Sequence, residues 1–248
     1  MNKENTVSRT HRFQTFVPQL RERRDRIVYE GKLGQIGATS SSRYRLVGLA
    51  AVLSLLGFLV AIVIHPLLAA LVGTGVVALI AGGWPAATGV AELRQTRRIY
   101  SHSIIILCAG LSAVAVTFFE PSNERLTSLP TIAAVGVVAS FIAELSRGEG
   151  SLGRLESVIS CITGVLAAVS VAGWVALADY YRASQSSLLI MGIGVGIALL
   201  LGAFGVRLIS AGPQDGPRRG AITLGVTPVA FVGVIGYLIA IFIANVVS

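Results

Sequence analysis

An all-α bundle of seven membrane-spanning helices is the fold class this sequence predicts, and three observations predict it. Of 248 residues, 54% are hydrophobic and only 13% charged, with a mean hydropathy of +0.76. A water-facing domain carries about 25% charged residues. From Leu46 onward the chain is a series of apolar runs with short polar breaks, each run close to the roughly 20 residues that cross a hydrocarbon core. Lys and Arg gather in alternate breaks. Composition alone therefore excludes an ordinary soluble enzyme, a disordered tail and a coiled coil.

Residues 1–45 form the first region, with ten Lys/Arg against four Asp/Glu. Phe13, Phe16, Val17, Leu20 and Ile27 recur at helical spacing, and Pro18 suits the first turn of a helix. Glu22 and Arg26 stand four apart and add a few tenths of a kcal/mol at most, roughly. Three readings stand for this segment: a solvated cytoplasmic tail, an interfacial helix on anionic lipid, and a docking segment for a protein partner. Residues 34–42 (GQIGATSSS) have the composition of a flexible linker.

Residues 46–248 form the second region, with spans predicted at 46–64, 66–83, 103–119, 126–143, 158–178, 187–206 and 226–244. Only helices and closed barrels satisfy a backbone in lipid, and unbroken apolar runs exclude the alternation of a barrel. His65-Pro66 is all that separates the first two spans, so they form a helical hairpin, with proline ending one helix and opening the next. The fourth span is the weakest, being short and starting near Pro130.

Orientation follows from the basic residues. Eighteen of twenty fall on one side: ten in 1–45, three in 84–102, two in 144–157 and three in 207–225. The other side holds Arg125 and Arg182. The N-terminus is thus expected in the cytoplasm and Ser248 outside. The basic surplus follows this topology, so nucleic acid is not an expected partner. Trp84, Tyr100, Trp174, Tyr180 and Tyr181 fall at the expected boundaries, where amphipathic rings are favoured.

Few groups invite chemistry. No ionisable residue lies near the middle of a span, which argues against a proton-coupled pump or a voltage sensor. His11, His65 and His102 fall on different segments, and Cys108 and Cys161 lie in apolar runs; neither a metal set nor a cofactor is expected. No catalytic residue is expected either. Glu144 and Arg207 close the fourth and sixth spans and form a candidate boundary ion pair, with snorkelling to the interface as the alternative. Arg147 is an equally placed partner for Glu144.

Small residues recur at helical spacing: in the sixth span Gly192 and Gly196 stand four apart, continued by Ala198 and Gly202, and in the fifth Gly164 and Ala168 stand four apart. That spacing lets helix backbones approach, within one chain or between two copies. Ser160, Thr163 and Ser170 lie near one face of the fifth span and are a candidate polar lining. Tyr237, deep in the seventh span, needs a hydroxyl partner.

Gly83-Trp84-Pro85, together with Arg154-Leu155-Glu156-Ser157 leading into Thr163-Gly164-Val165, resembles a group of uncharacterised multi-pass membrane proteins of actinobacteria. The resemblance implies a bacterial inner membrane and carries no activity or functional residue with it. The sequence thus predicts a non-enzymatic accessory or scaffold protein of that membrane, surrounded by lipid and joined to a membrane-protein partner or a second copy. The alternative is a permease or flippase for a neutral or lipidic solute.

Overall fold

The computed structural model describes residues 33–88, 99–120, 126–146, 154–184 and 218–247, with Gly192 and Gly196. Among them every regular element is an α-helix. In chain order these are α1 (Leu33–Ile64), α2 (Pro66–Ala87), α3 (Ile99–Phe119), α4 (Leu129–Leu145), α5 (Arg154–Ser170), α6 (Ala172–Ser184) and α7 (Arg218–Val247). The chain divides into two units, Met1–Ser42 and Arg43–Ser248. In the first unit the described residues, 33–42, are helical. The expected flexible linker over 34–42 is therefore overturned. Extending a helix already nucleated by an apolar segment is cheap compared with starting one, and this outweighs the glycine cost of roughly 1 kcal/mol per residue.

Among the described residues five helices are long and apolar enough to cross a membrane: Arg45–Ile64, Pro66–Ala87, Ser101–Phe119, Leu155–Ala183 and Arg218–Val246. They overlap the expected first, second, third, fifth and seventh spans. The expected fourth span, 126–143, is the shorter apolar helix α4. It begins later because Leu126 adopts a left-handed backbone, φ 73°, and Pro130 sits in its first turn. Its 17 residues reach only about 26 Å at 1.5 Å per residue. The expected sixth span, 187–206, lies outside the described residues apart from Gly192 and Gly196, both helical.

The turn between α1 and α2 has the form expected of His65-Pro66. His65 is extended (φ −166°, ψ 139°) and its Nδ1 accepts the Leu67 N–H at 3.0 Å. The side chain thereby caps one of the donors a helix start leaves unpaired. α5 and α6 together form the 29-residue segment Leu155–Ala183, the most enclosed of the five. Val171 separates them, where the bonds Val171 N–H to Ala168 O and Trp174 N–H to Val171 O replace the α-helical pattern.

α5–α6 runs through the centre, with α2, α3 and α7 packed along it and α4 against α5. Trp174 and Phe58 have no exposed surface; their rings stack at 4.8 Å, 5° from parallel. The outward faces remain apolar: Leu53 and Val63 on α1, Val135 on α4 and Phe242 on α7 are all more than half exposed. In water such continuous apolar surface would be untenable; in lipid it is the surface the solvent requires.

Close packing depends on glycines. A Cβ at Gly173 would meet the backbone of Gly233 and Val234, and one at Gly233 would meet Trp174. Gly110 leaves room for Val77 and Ala168, and Gly136 for Val165. These contacts set directions. Gly173 with Gly233 and Tyr180 with Tyr237 show α6 and α7 running parallel. Gly220 against Ala86 and Gly83 against Thr223 show α7 antiparallel to α2.

Replacing Gly173 with Leu is expected to lower thermal stability in detergent, by about 1–3 kcal/mol or more, because rigid backbone blocks the added atoms. Gly75→Leu, where a Cβ would meet nothing within 4 Å, is expected to leave the melting temperature close to that of the unaltered chain. Paired thermal-shift curves on the two variants check this.

Candidate functional site

The densest buried polar cluster among the described residues lies where α3 begins, α4 ends and α5 begins. His102 is 2% exposed, Glu144 3% and Ser157 1%. His102 Nε2 lies 2.9 Å from Glu144 Oε1, and the Ser157 hydroxyl donates to the same oxygen at 2.6 Å. With Glu144 ionised, Nε2–H and Oγ–H both donate to one carboxylate oxygen, and charge-assisted bonds of this kind are about twice as strong as neutral ones.

The register of α4 on α5 produces this site. Glu144, Ser140 and Gly136 are spaced one helical turn apart, as are Ser157, Cys161 and Val165. The antiparallel helices match them in sequence. Glu144 takes the Ser157 hydroxyl, the Ser140 hydroxyl points at Cys161 Sγ at 3.1 Å, and Gly136 makes room for Val165. The stripe thus grades from charged through polar to apolar as it leaves the helix ends.

A second polar junction adjoins it on α5. The Trp84 indole N–H donates to Ser160 O at 2.6 Å, and the Thr88 and Ser160 hydroxyls are 2.8 Å apart. Gly164, one turn on from Ser160, leaves room for the Trp84 ring and Ile106. Elsewhere Trp174 Nε1–H donates to Val229 O at 2.7 Å, and the Thr223 hydroxyl donates to Leu79 O at 3.0 Å. In each case a side-chain donor of one helix ends on a neighbouring helix.

The chemistry of the His102–Glu144–Ser157 set follows from its order. In a hydrolytic relay the serine hydroxyl donates to the imidazole, which removes its proton. Here the serine donates to the carboxylate, so the contact holds the hydroxyl proton on an acceptor that also faces the imidazole. Desolvating a charge costs several kcal/mol unless donors surround it, and two donors from two other helices supply part of that compensation. The cluster ties α3, α4 and α5 together. No group of three or more metal-ligating side chains occurs among the described residues.

The residues singled out from the sequence separate on this map. Glu144 has His102 and Ser157 as partners, while Arg207 and Arg147 lie outside the described residues. Ser160 is buried at the Trp84–Thr88 junction. Thr163 is exposed and donates to Ile159 O at 2.8 Å, and half-buried Ser170 donates to Leu166 O at 2.8 Å. Tyr237 is buried with its ring edge-on to Tyr180, 6.1 Å between centroids. Gly164 and Ala168 are buried in close contacts. Gly192 is exposed and Gly196 half-buried, and a Cβ at either would meet none of the described residues within 4 Å; Gly202 lies outside the described residues. Cys161 is buried and Cys108 exposed, and neither forms a disulfide among the described residues.

Sequence reasoning missed His102, Ser157, Ser140 and Cys161. The available signal was the four-residue spacing of small and polar residues on 136–144 and 157–165. No known family, curated protein or solved structure matches the chain.

A double-mutant cycle tests the cluster. His102→Ala and Glu144→Ala are each expected to lower the melting temperature in detergent, since removing one partner of a buried pair costs about 3–5 kcal/mol. Together they should cost less than the sum, with a coupling of about 1–3 kcal/mol.

Proposed function

We propose that this protein is a non-enzymatic accessory or scaffold protein of a bacterial inner membrane. That it is built of apolar helices suited to a membrane follows from the fold; the specific role is the proposal. The observation that carries it is that four sets of described buried polar groups bridge helices. The bridges Trp84–Ser160, Trp174–Val229, Thr223–Leu79 and His102–Glu144–Ser157 each join one helix to another. Polar groups so engaged fix an arrangement of helices. The hydroxyls of Thr163 and Ser170, candidates for a solute path, are bonded to their own helix, which favours the scaffold over the carrier.

The topology belongs to the same proposal: seven crossings, with a cytoplasmic N-terminus and an external C-terminus. The eighteen-to-two division of basic residues supports the orientation. The parallel course of α6 and α7 supports a seventh crossing, because a chain leaving α6 at one face must return to the other before α7 begins. The apolar run 187–206 has the length for that return. The short motifs around Trp84 and Glu156, with their resemblance to actinobacterial membrane proteins, support the bacterial setting. A membrane-protein partner or a second copy, and lipid, are the partners proposed; no cofactor and no nucleic acid enter.

Reporter fusions at Ser248 and within 84–102 are expected to lie on opposite sides of the membrane. Termini found on one side would overturn the seven-crossing topology. Purification in mild detergent is expected to recover a specific membrane-protein partner or a dimer. Recovery of a lone monomer, with solute flux in reconstituted liposomes, would favour the carrier.

A further inference from the structure

An apolar groove of about 650 Å³ runs between α1, α2 and α7, within the volume range of small-molecule sites. Leu49 and Leu53 line it from α1, Val72, Gly75 and Leu79 from α2, and Ile222 from α7. Its charge is confined to one end. Arg45 stands four residues before Leu49 and eight before Leu53, on the same helical stripe. Arg218 stands four residues before Ile222, and Arg219 three. All three arginines are exposed. Gly225 abuts Val47 O, which sets the start of the membrane part of α1 beside the first turns of α7. The α1 and α7 walls of the groove therefore lead, at one and the same end, to guanidinium groups.

We infer that this groove is a binding site for an anionic phospholipid, with an acyl chain between α1, α2 and α7 and the phosphate at Arg45, Arg218 and Arg219. A purely apolar crevice would take any lipid tail. Three cations at one mouth select a molecule that is apolar along its length and anionic at its end. Guanidinium forks match phosphate oxygens in pairs, and basic pockets between membrane helices hold anionic headgroups. The site requires that the helices lie in lipid; it requires neither the scaffold role nor a particular orientation, so a flux-competent or inverted protein would leave it standing.

The test is native mass spectrometry of the full chain in detergent, titrated separately with dioleoylphosphatidylglycerol and dioleoylphosphatidylcholine. Preferential retention of phosphatidylglycerol is expected. Changing Arg45, Arg218 or Arg219 to Gln should each lower that affinity roughly fivefold. Arg182→Gln, at an exposed arginine on α6, should leave it unchanged. Gly75→Phe, which fills the groove where a Cβ meets nothing, should weaken both lipids while the elution volume of the protein is kept. Equal binding of the two lipids would overturn the inference, and so would an equal loss from Arg182→Gln. Displacement of phosphatidylglycerol by millimolar inorganic phosphate, with Gly75→Phe silent, would also overturn it by making the arginines a free-anion site.

Discussion

Lipid removes the force that assembles soluble proteins. Hydrocarbon outside a helix is as apolar as a leucine inside, so burying a side chain between helices gains little from water. What remains is close contact and hydrogen bonding, and this structure uses both at the same places. Gly173 lets the backbone of α6 touch that of α7 at Gly233, and Trp174, the next residue, sends its indole N–H to Val229 O on the same neighbour. Gly83 lies against Thr223, whose hydroxyl reaches Leu79 O. Gly164 admits Trp84, whose indole N–H reaches Ser160 O. The glycine brings two helices close enough for a neighbouring donor to reach across.

The α4–α5 pair shows how register is fixed under that constraint. Apolar helices in an apolar solvent could slide past one another at small cost. Glu144 on Ser157, Ser140 beside Cys161 and Gly136 beneath Val165 define one alignment; a slip of one turn would set the carboxylate against the thiol of Cys161. His102 then fixes α3 to the same point. A short helix of 17 residues thus gains through polar contacts the definition that length gives its neighbours.

The global class was legible because composition and run length respond to the solvent alone. The α1–α2 hairpin was legible because His65-Pro66 acts locally: proline opens α2 and the imidazole caps it. The helical course of 34–42 was not, since its glycines and serines describe a linker and only the adjoining apolar helix overrides them. Break positions inside apolar runs were equally hidden: nothing in the composition around Val171 separates α5 from α6. For the cluster, Glu144 was visible as a boundary charge, but its partner His102 lies 42 residues away. The partners expected for it, Arg147 and Arg207, lie outside the described residues. Tertiary neighbours at that separation follow from helix pairing, which a single sequence encodes only as faint spacing. The close-contact glycines were seen in part: Gly164 lies in one, whereas among the described residues nothing stands within 4 Å of a Cβ at Gly192 or Gly196.

The order of synthesis gives the central position of α5–α6 a further meaning. Among the described helices, α1–α4 leave the ribosome before α5–α6, and α7, which accepts the Trp174 indole proton, follows them. Val165, which fills the space at Gly136, is made after α4, and Val229 O, which accepts the Trp174 indole N–H, is made after α6. The centre of the bundle therefore closes only once its partners from both sides of it in the sequence, α2–α4 before and α7 after, have all been made.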